Sequence, residues 1–159
     1  MNSCIGIFLL PGILGIIVGV VILMVVFVVV WLQTIPGAYT FEPSERGFFE
    51  RMLATYLDIA KFIIGLASGG IVLIIGSSAL SSSTKKLPVG YANPLFVLAM
   101  SVVYGILFMP IISLDYEGFR HGTIQYTRWR YCRNRTLGFS ALACFCVGYA
   151  WLVFAAVRA

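Results

Sequence analysis

Residues Pro11 to Trp31 read PGILGIIVGVVILMVVFVVVW, an unbroken run without a charged side chain. A hydrocarbon core about 30 Å thick needs about 20 helical residues to cross it, so this run suffices for one crossing. Its many β-branched residues do not argue for a strand. In lipid an isolated strand leaves its backbone groups unpaired, whereas a helix satisfies its own. Pro11 suits a first helical position and Trp31 suits an interface. The run exceeds the ~7–15 apolar residues of a secretory leader and no basic residue precedes it, so a retained spanning helix is expected. Met1 to Leu10 is apolar as well, and either extends this helix or lies along the interface.

The rest of the chain fits the same solvent. It is 60% hydrophobic and only 11% charged, and its mean hydropathy of +0.98 lies far outside the range of soluble domains. Three further uncharged runs have spanning length: Phe62 to Leu80, Pro94 to Leu114 and Leu137 to Val157. Before the second run, from Ser44 to Lys61, apolar Phe48, Phe49, Met52, Leu53, Tyr56, Leu57 and Ala60 recur at helical spacing, with Glu50, Arg51, Thr55 and Asp58 opposite. This pattern predicts an amphipathic interfacial helix that runs into a spanning one. Asn93 and Pro94 read as the cap and first residue of the third span, and Pro110 as a bend in its last turn. Asn134 or Thr136 is the candidate cap of the fourth, which carries Tyr149 and Trp151 toward the far interface. The expected fold is therefore an all-α integral membrane protein with a single transmembrane domain over residues 1–159. Its spans are approximately 11–31, 62–80, 94–114 and 137–157, with an amphipathic helix at 44–61.

Four crossings put the Ser81–Asn93 connection on the side of both termini, and the other two connections on the opposite side. The first side carries Lys85, Lys86 and Arg158. The second carries Arg46, Arg51, Lys61, Arg120, Arg128, Arg130, Arg133 and Arg135. Basic residues in short loops stay cytoplasmic, so the arginine-rich side is expected to face the cytoplasm and both termini the other side. The lead-in followed by LASGGIVLIIGSS has the look of small bacterial polytopic proteins, which makes a bacterial inner (plasma) membrane the expected location.

Tyr126 to Arg135, YTRWRYCRNR, holds four of the eleven basic residues in ten positions. Arg133 and Arg135 precede the fourth span, where the positive end of the helix dipole disfavours cations by ~0.3–1 kcal/mol. Topogenic retention gives one reason for them. Attraction to anionic headgroups, about 1 kcal/mol per basic residue near the surface, gives another. Arg128, Trp129, Arg130, Arg133 and Arg135 are thus the candidate site for anionic lipid or another ligand. Stacking of a base on the interleaved aromatics is the sharper alternative, but nucleic acid is not the expected partner.

Candidate chemistry is sparse. His121 has Asp115 and Glu117 nearby but no second histidine, and the cysteines (Cys4, Cys132, Cys144, Cys146) form no metal-ligand spacing. Cys144 and Cys146 read as small packing residues. Asp58 and Lys61, three apart, read as a neutralising pair at a helix mouth. No carboxylate lies deep in a span, which counts against a proton-driven carrier. No cofactor, metal or catalytic residue is expected.

The spans do contain small residues at close spacing. Gly15 and Gly19 make GIIVG, Gly65 and Gly69 make GLASG, and Gly76, Ser77 and Ser78 extend the second surface. Such surfaces pack helices either within one bundle or between copies. The expected function is a homo-oligomeric membrane assembly, with a pore or a membrane-perturbing effector as its sharper forms. The alternative is an accessory subunit of a larger membrane complex. Expected partners are a bilayer with anionic headgroups, and further copies or other membrane subunits.

Overall fold

The computed structural model describes residues 3–34, 46–80, 89–125 and 127–158, with side chains over 12–34, 51–76, 90–125 and 127–158. The described residues form four α-helices: α1 (Ser3–Gln33), α2 (Arg46–Leu80), α3 (Val89–Arg120) and α4 (Arg128–Arg158). All four are long and apolar enough to cross a membrane. The Ser81–Lys86 stretch with its two lysines, the body of the Leu32–Pro43 connection, Tyr126, and the side chains of Ser77 and Ser78 lie outside the described residues.

Each helix outruns the apolar window that announced it, because backbone hydrogen bonding continues wherever the chain allows it, in lipid or in water. From Arg46 onward the lead-in and the second span are one helix of 35 residues, about 52 Å long at 1.5 Å per residue. α3 begins at Val89, so Asn93 and Pro94 lie inside it and Asn93 is not a cap. Pro110 is likewise internal rather than in the last turn, since α3 runs on to Arg120. α4 starts at Arg128, ahead of Asn134 and Thr136. Most of the expected third connection, Asp115 to Thr136, is therefore helix.

α3 and α4 form the centre as an antiparallel pair. α1 lies against both, α2 mainly against α3, and among the described residues α1 and α2 make no contact with each other. Directions follow from the contacts. Gly12 faces Phe96 and Gly19 faces Met100, so α1 runs parallel to α3; Ile64 of α2 meets Gly105, and Leu98 meets Gly148 of α4. The C-terminal ends of α1 and α3 thus lie at the same end of the bundle as the N-terminal ends of α2 and α4.

Two apolar clusters fill the interior. Leu53, Ala60, Phe108 and Ile112 join α2 to α3 near the shared end. Val97, Tyr104, Ala141 and Cys144 join α3 to α4, with Val18 and Ile22 of α1 packed on them. Trp151 is partly buried against this second cluster. Close approach explains why α3 and α4 sit at the centre. Cys132, Thr136, Ser140, Cys144 and Gly148 recur at every fourth position of α4 and are all buried, a stripe of small side chains that lets the backbones draw together. Across that contact the Ser101 hydroxyl donates to the Ala141 carbonyl at 2.7 Å. The Tyr104 hydroxyl donates to the Gly19 carbonyl of α1 at 3.1 Å. Cys146, two positions beyond Cys144, is exposed and lies off this buried stripe.

Candidate functional site

The end where α3 turns into α4 carries the arginines, and its geometry starts from a glycine. Gly122 has φ of 70°, the left-handed conformation that closes a helix C-terminus at low steric cost. The Gly122 N–H donates to the Phe119 carbonyl at 3.1 Å and the Thr123 N–H to the Gly118 carbonyl at 3.0 Å, the paired bonds of a Schellman turn. Thr127 then opens α4. Its carbonyl accepts from the Tyr131 N–H at 3.1 Å, and its hydroxyl faces the Arg130 N–H at a long 3.5 Å. A seven-residue connection, 121–127, therefore folds the first turns of α4 back along the last turns of α3.

That fold-back brings the cluster onto Asp115. One carboxylate oxygen accepts from Arg130 Nη1 at 2.5 Å. The other accepts from Arg133 Nη2 at 2.6 Å and from Asn134 Nδ2 at 2.9 Å. The Asp115 side chain is only 5% exposed, whereas those of Arg130 and Arg133 are 32% and 35% exposed. Two cations at a helix N-terminus thus find a carboxylate there, and they also lie beside the negative C-terminal half of α3. Charge-assisted bonds of this kind are among the stronger ones available to a protein.

The other two arginines have different partners. Arg128 Nη2 donates to the Trp31 carbonyl at 2.9 Å, one of the last carbonyls of α1 that lack a helical donor, and its guanidinium lies 4.4 Å from the Trp31 ring centre. Trp129 packs edge-on against Phe27 and Trp31, at 5.8 and 6.4 Å. Beside them the Thr34 hydroxyl donates to the Val30 carbonyl at 2.6 Å and lies 3.4 Å from Cys132 Sγ. The C-terminus of α1 is thereby pinned to the start of α4. Arg135 donates to the Tyr131 hydroxyl at 3.0 Å and lies 5.3 Å from the Phe139 ring centre. Among the described residues no carboxylate pairs with it. It faces a crevice of about 370 Å³ between α2 and α4, floored by Gly105, Phe108 and Ile112 of α3 and walled by Ile59, Ile63, Gly138 and Leu142.

The two glycine pairs lie in opposite surroundings. A methyl group built on Gly15 would come 2.6 Å from the Asn93 carbonyl oxygen, and one on Gly19 would come 2.9 Å from Met100. On Gly65 or Gly69 it would meet nothing within 4 Å, and the same holds for Gly70 and Gly76. Asp58 and Lys61 pair at 3.2 Å with both side chains mostly exposed, and His121 is exposed in the turn. Among the described residues no three His, Cys, Asp or Glu side chains gather as a metal site.

Sequence reasoning named the arginines but not Asp115, which it treated as a boundary residue beside His121. The available signal was the antiparallel hairpin itself. With so short a turn, a carboxylate late in the third span must face the start of the fourth. The small-residue stripe of α4 is also missing from the sequence reading, because its members are not taken together at their four-residue spacing. No family model, curated protein or solved structure matches the chain.

Proposed function

We propose that this chain is a membrane-embedded, non-catalytic unit that assembles with copies of itself through the outer face of α2, with its arginine-rich end toward the cytoplasm and the anionic leaflet. The observation that carries the reading is the open glycine face. Gly65, Gly69 and Gly76 lie on one side of α2 by helical spacing, with nothing within 4 Å of an added methyl group, and Phe62 and Val72 beside them are each 68% exposed. In lipid, apolar exposure alone drives no association. Close backbone approach at small residues does.

Other features agree. Val97, Leu98 and Ser101 fill the centre of the chain, so any conducting path would run between copies and not through one. The Asp115 carboxylate already accepts from three donors, which suits a clamp better than a proton-transfer group. A face that accepts a helix of the same chain could instead accept a helix of a larger complex, and mass separates the two. Purified alone in mild detergent, the chain should run as one defined multimer. A monodisperse monomer that keeps its fold would remove self-assembly and favour the accessory-subunit reading.

A further inference from the structure

We propose that the crevice between α2 and α4 binds one anionic glycerophospholipid of the surrounding bilayer, with an acyl chain along Gly105 and Gly138 and the phosphate on Arg135. The inference rests on the membrane reading and is independent of whether copies assemble. Its first support is the division of labour among the arginines. Arg130 and Arg133 are spent on Asp115, and Arg128 on the Trp31 carbonyl. Arg135 donates to the Tyr131 hydroxyl and has no carboxylate among the described residues. A guanidinium has five N–H donors in a fork that matches phosphate oxygens. A half-buried cation beside an apolar slot at a membrane boundary is a charge waiting for an anion.

The second support is the shape of the slot. Its volume of about 370 Å³ is at the lower end of small-molecule sites, roughly 300–1,000 Å³. A helix some 10–12 Å across would not enter it, whereas an alkyl chain would. Its lining is polar at one end, where Tyr56, Tyr131, Asn134 and Arg135 lie, and apolar along the rest. This is the polarity of a headgroup joined to a chain. Gly138 of α4 lines the slot and puts no side chain into it. A methyl group built there would reach Phe108 at 3.4 Å, so a larger side chain can be accommodated only by extending into the crevice.

The test counts lipids per chain, whatever the copy number. The full-length protein is extracted from bilayers of equimolar phosphatidylglycerol and phosphatidylcholine into mild detergent, and retained lipid is read by native mass spectrometry. The wild-type chain should keep one phosphatidylglycerol. Arg135→Gln should lower the preference for the anionic lipid about fivefold, the worth of one basic residue near a headgroup. Gly138→Leu should expel both lipids, and Ile59→Trp, which fills the slot from the α2 side, serves if that variant does not fold. Lys61→Gln, which alters an exposed cation outside the crevice, should leave the count unchanged. Equal retention in wild type, Arg135→Gln and the slot-filling variant would overturn the proposal, as would displacement of the lipid by inorganic phosphate alone. A chain recovered from the aqueous phase without detergent would sink the membrane reading, and this inference with it.

Discussion

Gly15–Gly19 on α1 and Gly65–Gly69 on α2 have the same four-residue spacing and opposite surroundings. A methyl group on the first pair strikes Asn93 and Met100 of α3; one on the second pair meets nothing within 4 Å. The spacing says that a backbone can be approached closely, and says nothing of what approaches it. On α1 the partner is α3 of the same chain, and the approach lets the Tyr104 hydroxyl reach the Gly19 carbonyl. On α2 no helix fills that role among the described residues. The proposed assembly assigns it to a neighbouring copy.

If that contrast holds, changes on the occupied side cost the fold and changes on the open side cost only the assembly. The largest effect is expected at Asp115. Asp115→Ala leaves two guanidiniums and an amide without their acceptor, and breaking a buried pair in this way costs about 3–5 kcal/mol. The lower figure is expected here, because both arginines reach solvent, and thermal unfolding in detergent would measure it. An unchanged melting temperature would mean that the α3–α4 clamp contributes nothing.

Next comes Gly15→Leu. Its Cβ would lie 2.6 Å from a backbone oxygen, which cannot swing aside as a side chain can, so overpacking of about 1–3 kcal/mol is expected. Gly65→Leu, its counterpart on α2, should stay within about 0.5 kcal/mol of wild type, as a surface change does. Similar losses at both positions would erase the contrast. A much smaller loss than at Asp115 or Gly15 is expected for Ser101→Ala. It removes the hydrogen bond to the Ala141 carbonyl, and such bonds within membrane proteins average about 0.6 kcal/mol. A loss of several kcal/mol would mean that Ser101 governs the α3–α4 contact more than the small stripe does.

How much of this was legible depended on range. The four helices could be read because a run such as Pro11 to Trp31 has few alternatives in lipid. Their ends could not, since α3 extends through Asp115 to Arg120 and α4 begins amid arginines, where hydropathy gives no signal. The arginine cluster stood out by charge alone. Its partners did not, because Asp115 lies 15 and 18 positions from Arg130 and Arg133, and only the turn at Gly122 brings them together. The α4 stripe of Cys132, Thr136, Ser140, Cys144 and Gly148 was fully present in the sequence, and needed only that these small residues be read together at every fourth position. The crevice at Arg135 could not have been found from sequence, being defined by where α2 and α4 fail to meet.

The most direct test of the central claim is the mass of the purified, lipid-solubilised protein for wild type beside two double variants, Gly65→Leu/Gly69→Leu on the open face and Gly15→Ala/Gly19→Ala on the occupied one. The account predicts a defined multimer for wild type, a folded monomer with near wild-type melting for the α2 variant, and for the α1 variant a lowered melting temperature with the multimer kept below it. An α2 variant that remains multimeric at wild-type mass would contradict it, and would show that copies of this chain do not meet through that face.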